Sequence, residues 1–118
     1  LLPGKTNLII RDFPEMLAPF AKKKEVNSNL THHFKFYLNG LWVFHGCEDE
    51  NNVDKIRETL KRQLEFWIQH KYRNIDEDYL QLISLWCPPS FSWGFGLERL
   101  LKYILKLENV NEVSFFRV

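Results

Sequence analysis

The segment Pro88-Pro89-Ser90-Phe91-Ser92-Trp93-Gly94-Phe95-Gly96-Leu97-Glu98-Arg99 runs without a break into Leu100-Leu101-Lys102-Tyr103-Ile104-Leu105-Lys106. Leu97, Leu100, Leu101, Ile104 and Leu105 recur at helical spacing, whereas Ser92, Gly94 and Gly96 fall on one face of an extended segment. The stretch therefore predicts a strand that feeds directly into an amphipathic helix. A strand face without side chains lets a flat ligand lie against the backbone. Arg99, in the first helical turn, stands beside free N–H groups that favour an anion, so a phosphate could meet a guanidinium and a helix N-terminus together. The same residues also read as a strand bulge or close backbone packing, with Arg99 solvated or ion-paired. Spacing alone leaves both readings open.

The stretch resembles motif 3 of the class II aminoacyl-tRNA synthetases, in the aspartyl/asparaginyl/lysyl branch. That motif reads Pro-His-x-Gly-(Phe/Trp)-Gly-(Leu/Ile)-Gly-(Leu/Phe)-Glu-Arg, and Pro89, Trp93, Gly94, Phe95, Gly96, Leu97, Glu98 and Arg99 fit it in register. The continuation Asn109-Val110-Asn111-Glu112-Val113-Ser114-Phe115-Phe116-Arg117 resembles the family's closing strand, and the aspartyl/asparaginyl pair is the nearest match. The resemblance implies ATP contacts at Arg99, Gly94, Gly96 and Phe95. Two departures stand out: Ser90 replaces the usual histidine and Ser92 the first glycine.

The chain has 118 residues, room for one domain with a real core, and a formal net charge of +1. Near-neutrality excludes a broad electrostatic footprint for nucleic acid, so any RNA contact would be local. Lys22-Lys23-Lys24 is the basic run, and it reads as a solvated loop ahead of an RNA patch. Cys47 and Cys87 form no disulfide or metal pattern, which suits a reducing, intracellular compartment. No apolar run reaches the length of a membrane span. The opening Leu1-Leu2-Pro3-Gly4 reads as a cut inside a longer protein.

Asn7-Leu8-Ile9-Ile10-Arg11-Asp12 reads as a short strand stopped at Phe13-Pro14. Residues 21–29 read as an exposed connection. Thr31–Leu38 and Leu41–Gly46 flank Asn39-Gly40, the preferred two-residue hairpin turn. Strict alternation then puts Phe34, Phe36, Leu38, Leu41 and Val43 on one face, and Lys35, Tyr37, Trp42 and Phe44 on the other. Val53, Ile56, Leu60, Leu64, Trp67 and Ile68 make a helical stripe reaching about His70. A second helix is expected after residues 74–76, carrying Tyr79, Leu80, Leu82, Ile83 and Trp86 as core and stopping at Pro88-Pro89. The fold class is α+β: an antiparallel sheet of the Asn7 strand, the hairpin, the Phe91 strand and a strand near Glu112, flanked by helices. It resembles the C-terminal half of a class II synthetase core.

The hairpin limits what the resemblance can carry. Aspartyl- and asparaginyl-type enzymes have an aspartate and a glutamate here that help hold magnesium on ATP; aligned through Phe34, Gly40 and Gly46, those positions hold Lys35 and Trp42. Neither side chain offers an oxygen ligand, so the resemblance implies ATP without a family-type magnesium site. Glu48-Asp49 replaces the family's Gln-Arg. Glu48, Asp49 and Glu50 read as solvated loop carboxylates, and His32, His33 and His45 lack the spacing of a zinc site. Motifs 1 and 2 are missing from the chain.

Three functions follow. The first is a degenerate asparaginyl/aspartyl-type domain, unable to aminoacylate by itself and kept for nucleotide, RNA or protein binding, with ATP or tRNA contacts made through a parent protein. The second is a fragment of a working asparaginyl-type ligase. The third is an interaction module using Tyr37, Trp42, Phe44 and Trp93 as an aromatic surface.

Overall fold

The computed structural model describes residues 7–66 and 74–114. Four strands, β1 (Leu8–Arg11), β2 (His33–Leu38), β3 (Leu41–Glu48) and β4 (Phe91–Phe95), form one sheet in the order β1-β2-β3-β4. Three helices accompany it: α1 (Val53–Phe66), α2 (Glu77–Trp86) and α3 (Leu97–Leu105). This is the expected antiparallel α+β arrangement. The chain divides into two compact units, the first comprising Leu1–Arg11, Phe34–Gly46 and Trp93–Val118, the second Asp12–His33 and Cys47–Ser92.

In the first unit, β1 pairs antiparallel with β2, setting Leu8 opposite Tyr37 and Arg11 opposite Phe34. Asn39 and Gly40 have φ of 49° and 74°. Both central residues are thus left-handed, the geometry whose twist suits a two-residue hairpin and which Asn-Gly tolerates at least cost. Asn7 accepts a hydrogen bond from the Asn39 backbone N–H at 3.0 Å, fastening the turn to the start of β1.

Beyond the turn the alternation of faces does not hold to the end of β3. Lys35 and Trp42 meet, as expected for one face, with the ammonium 4.3 Å from the indole centroid. Phe44, two residues past Trp42, instead packs edge-on against Phe34 and Phe36, at 5.5 and 5.4 Å. A strand that places residues 42 and 44 on opposite faces has gained one residue between them, as a bulge does. Val43 and Phe44 consequently line one apolar cleft of about 290 Å3 with Phe36, Leu38, Trp93, Phe95 and Leu100. The expected grouping of Phe44 with Trp42 is therefore corrected. Two-residue turn chemistry sets register only up to the first irregularity.

In the second unit Ile56 of α1 and Leu80 of α2 are buried, and Thr31 is wholly enclosed, bonding the Phe13 carbonyl through both its backbone N–H and its hydroxyl. Asn52 starts α1 by accepting from the N–H groups of Asp54 and Lys55, and Asp76 caps α2 through Tyr79 at 2.9 Å. The expected core stripe of α2 is corrected in part: Leu80 is buried, but Trp86 is 87% exposed and Leu82 and Tyr79 also face outward. A short helix packed along one side leaves its other apolar positions uncovered. The expected continuation of α1 through Trp67 and Ile68 to His70 lies outside the described residues.

Two further expectations are revised. Glu112 closes a short 3-10 turn over Val110–Glu112, tied by reciprocal bonds between Asn109 and the turn, so no strand begins there; Phe115, Phe116 and Arg117 lie outside the described residues. The connection around Lys22-Lys23-Lys24 is ordered by bridges of Ala21 to Asp49 and Lys23 to Thr31. Each lysine meets its own carboxylate: Lys22 with Glu48 at 2.7 Å, Lys23 with Glu15 at 2.7 Å and Lys24 with Asp12 at 3.1 Å. The run stays partly exposed, as a solvated connection would, but its ammonium groups are paired and do not form a free basic patch.

Candidate functional site

Within the first unit, the glycine side of β4 faces the end of β3 and the first turn of α3. A Cβ at Gly94 would touch the ring of His45 at 3.6 Å, an ordinary contact, so packing inside the chain does not demand glycine there. A Cβ at Gly96 would come within 3.2 Å of the Arg99 side chain, so the missing side chain at 96 is what lets Arg99 fold back. Gly96 also donates its N–H to the Val43 carbonyl at 2.9 Å and precedes α3 without a capping side chain. Trp93 and Phe95 stack on each other with centroids 5.6 Å apart and line the apolar cleft. Phe95 thus sits with the apolar residues, on the other side of the strand from Gly94 and Gly96.

Trp42 is the hub of the face. Lys35 lies over its ring at 4.3 Å, the Arg99 guanidinium carbon is 5.2 Å from its centroid, and His45 meets it edge-on at 5.4 Å. Arg99 also donates from Nη1 to the Trp42 carbonyl oxygen at 2.9 Å, which fixes the guanidinium and leaves its remaining N–H groups to point elsewhere. The indole N–H of Trp42 is buried without an acceptor. Lys35, Trp42, Arg99, Gly94 and Gly96 are therefore brought together. The side chains packed around the Trp42 ring end in an ammonium, a guanidinium and an imidazole. Among the described residues no group of three or more His, Cys, Asp or Glu side chains could hold a metal.

Ser92 and Ser90 belong to the second unit, where they complete a different cluster. The Ser92 hydroxyl donates to one oxygen of Asp49 at 2.6 Å and that of Ser90 to the other at 3.0 Å, while the Asp49 backbone N–H reaches the Ser90 carbonyl at 3.0 Å. The Cys47 thiol points at the same carboxylate at 3.5 Å, and burial, reinforced by the Asp49 charge against the opposing Ser92 bond, pushes that thiol up from its ordinary value. Asp49 is thus corrected from a solvated loop residue to a hydrogen-bonded one. Glu48 belongs to β3 and is held below the usual carboxylate range by its bond to Lys22, and Glu50 is buried, accepting from the Asn52 N–H. Three positions that depart from the family pattern, Asp49, Ser90 and Ser92, satisfy one another. Sequence separation hid this, since the partners are more than forty residues apart.

The fold is an α+β domain consistent with a class II synthetase domain. The family model for class II tRNA synthetases (D, K and N) matches residues 4–118, and the chain belongs to that family. Its relatives include a lysine–tRNA ligase of Campylobacter hominis, 26% identical over 109 residues that make up 91% of this chain and 22% of the relative. A probable cytoplasmic lysine–tRNA ligase of Encephalitozoon cuniculi is 28% identical over 110 residues, 91% of this chain and 21% of the relative. A lysine–tRNA ligase of Buchnera aphidicola is 22% identical over 121 residues, covering 92% and 24% respectively. The chain thus spans between a fifth and a quarter of the length of these relatives. No helix among the described residues is long and apolar enough to cross a membrane.

Proposed function

We propose that the chain is a class II synthetase-derived domain that retains a nucleotide-binding face and does not activate an amino acid by itself. The observation that carries this reading is the Lys35–Trp42–Arg99 assembly, in which a cation and an indole stand at the positions that the family resemblance gives to magnesium ligands. The segment over residues 88–99 is read as motif 3, with Arg99 meeting ATP phosphate and Gly94 and Gly96 under the adenine; Phe95, stacked on Trp93, contributes through the strand's shape. The asparaginyl reading rests on the motif and the Asn109 segment, whereas the relatives' names favour the lysyl branch. Contacts to tRNA, made through a parent protein in an intracellular compartment, belong to the same proposal.

Amino-acid-dependent exchange of pyrophosphate into ATP tests it, run with lysine, asparagine and aspartate in turn. No exchange is expected, alongside calorimetric ATP binding that Arg99→Ala abolishes. Exchange with any of the three would establish the rival, a working ligase fragment, which the relatives' names favour. A second reading, an interaction module, is favoured by Trp93, which is 63% exposed beside the apolar cleft. Absence of ATP binding by a folded sample would shift the weight to it.

A further inference from the structure

The turn between β2 and β3 meets the C-terminal end of α3 at a second cleft of the first unit, about 290 Å3 in volume. Leu38, Leu41 and Leu107 give it apolar walls, and Lys102, Lys106, Tyr103 and Asn39 ring them. Among the described residues no carboxylate lies within ion-pair distance of Lys102 or Lys106, and the Tyr103 hydroxyl has no hydrogen-bond partner. The second unit treats its cations differently: Lys22, Lys23, Lys24, Arg57 and Arg62 each hold a carboxylate at 3.1 Å or less. An apolar cleft ringed by unneutralised cations is complementary to an anion with an apolar body.

The backbone at Lys106 points the same way. Just past α3 the Leu107 N–H bonds the Lys102 carbonyl at 3.0 Å, and the Lys106 N–H reaches the Tyr103 carbonyl at 3.3 Å. That pair of bonds closes a helix through a left-handed residue, and the φ of Lys106 is 54°. Glycine usually fills such a position, because a Cβ there strains the backbone. Lysine is thus held against local preference. The helix dipole does not account for it, since Lys102 already brings a cation to the last turn. What the side chain gains is a place on the rim of the cleft, one helical turn from Lys102.

We propose that this cleft binds a small organic monocarboxylate with a compact apolar tail, Lys102 and Lys106 taking the carboxylate and the three leucines the tail. A carboxylate offers one oxygen to each ammonium, and the Tyr103 hydroxyl is a further donor. The volume of about 290 Å3 stands at the lower end of small-ligand sites, about 300–1,000 Å3, and so selects a compact ligand. This cleft lies at the hairpin turn and the far end of α3, away from the glycine side of β4, and the inference stands whether or not that side takes a nucleotide.

The test is calorimetric titration of the full chain with octanoate, with acetate as the charge without the tail and octyltrimethylammonium as the tail with the opposite charge. Octanoate is expected to bind, and both controls to bind at least about tenfold more weakly. Lys102→Gln and Lys106→Gly should each weaken octanoate by about three- to fivefold, as losing one partly exposed ion pair does, and the double variant by about tenfold. Lys55→Gln, on α1 in the second unit, should change nothing. Lys106→Gly should also raise the melting temperature by relieving the left-handed strain, and affinity lost while stability rises is not what damage to the fold produces. A fall in its melting temperature instead would make Lys106 structural and remove it from the site. Equal binding of octyltrimethylammonium overturns the proposal, because it marks adsorption to exposed apolar surface. Absence of octanoate binding by the folded chain, or undiminished binding by the folded double variant, overturns it as well.

Discussion

Gly94 and Gly96 look equivalent in sequence and are not. The space above Gly94 accepts a methyl group, whereas at Gly96 the same methyl presses on Arg99 at 3.2 Å. Gly94→Ala should therefore leave the melting temperature within a degree or two while weakening nucleotide binding, because it fills the ligand's side of the strand. Gly96→Ala should displace Arg99 from the Trp42 carbonyl and lower both affinity and stability, the latter by about 1 kcal/mol for the strained contact and lost bond. Calorimetry and thermal melts on the pair separate the two roles.

Glu15 is the other residue whose environment predicts behaviour. Burial alone would raise its carboxyl, but a hydrogen bond from Arg62 and an ion pair with Lys23, each at 2.7 Å, outweigh that and hold it below its ordinary value. A carboxyl with a lowered folded pKa binds its proton more readily when unfolded. The stability it contributes is therefore complete above the ordinary glutamate range of about 4.3 and declines as pH falls through that range toward the folded value. Urea denaturation at stepped pH should show this acid limb, and Glu15→Gln should flatten it while lowering stability at neutral pH.

At the level of elements, the hairpin was the most legible feature, because Asn-Gly dictates a turn through local sterics and the structure has both residues left-handed. Gly40→Ala should cost about 1 kcal/mol by placing a Cβ in that conformation, and Asp76→Ala a similar amount by uncapping α2. Equilibrium unfolding in urea measures both. Helix periodicity located α1, α2 and α3, with ends set by Asn52, Asp76 and Gly96. What could not be read was the extra residue around Val43, since both partners of a bulge remain apolar and no turn residue marks it. Nor could the pairing of Asp49 with Ser90 and Ser92, a contact that exists only after folding.

For the whole molecule, the resemblance gave the family and the strand-to-helix logic of β4 and α3, but the oxygen-poor hairpin was legible only by comparison with that family. The structure adds how the substitutions cohere: Lys35 with Trp42 and Arg99 in one unit, Asp49 with Ser90 and Ser92 in the other. Apolar exposure is extensive, with Trp93, Phe95, Ile104 and Leu105 in the first unit each close to or above half exposed. Such surface in a chain spanning about a fifth of its relatives' length promotes association. Light scattering should show self-association rising with concentration, and Trp93→Ser should reduce it.

The lysine run has a consequence for how the second unit comes apart. Trypsin needs an accessible, locally extended stretch of backbone around the bond it cuts. Lys22 and Lys24 donate backbone N–H groups to Glu48 and Leu30, and all three ammonium groups are held by separate acids. Three adjacent cleavage sites are thus withheld while the bridges of Ala21 and Lys23 stay closed. Cutting at residues 22–24 becomes a clock for local opening of that segment, readable by mass without any label and running faster in Glu15→Gln than in the parent chain.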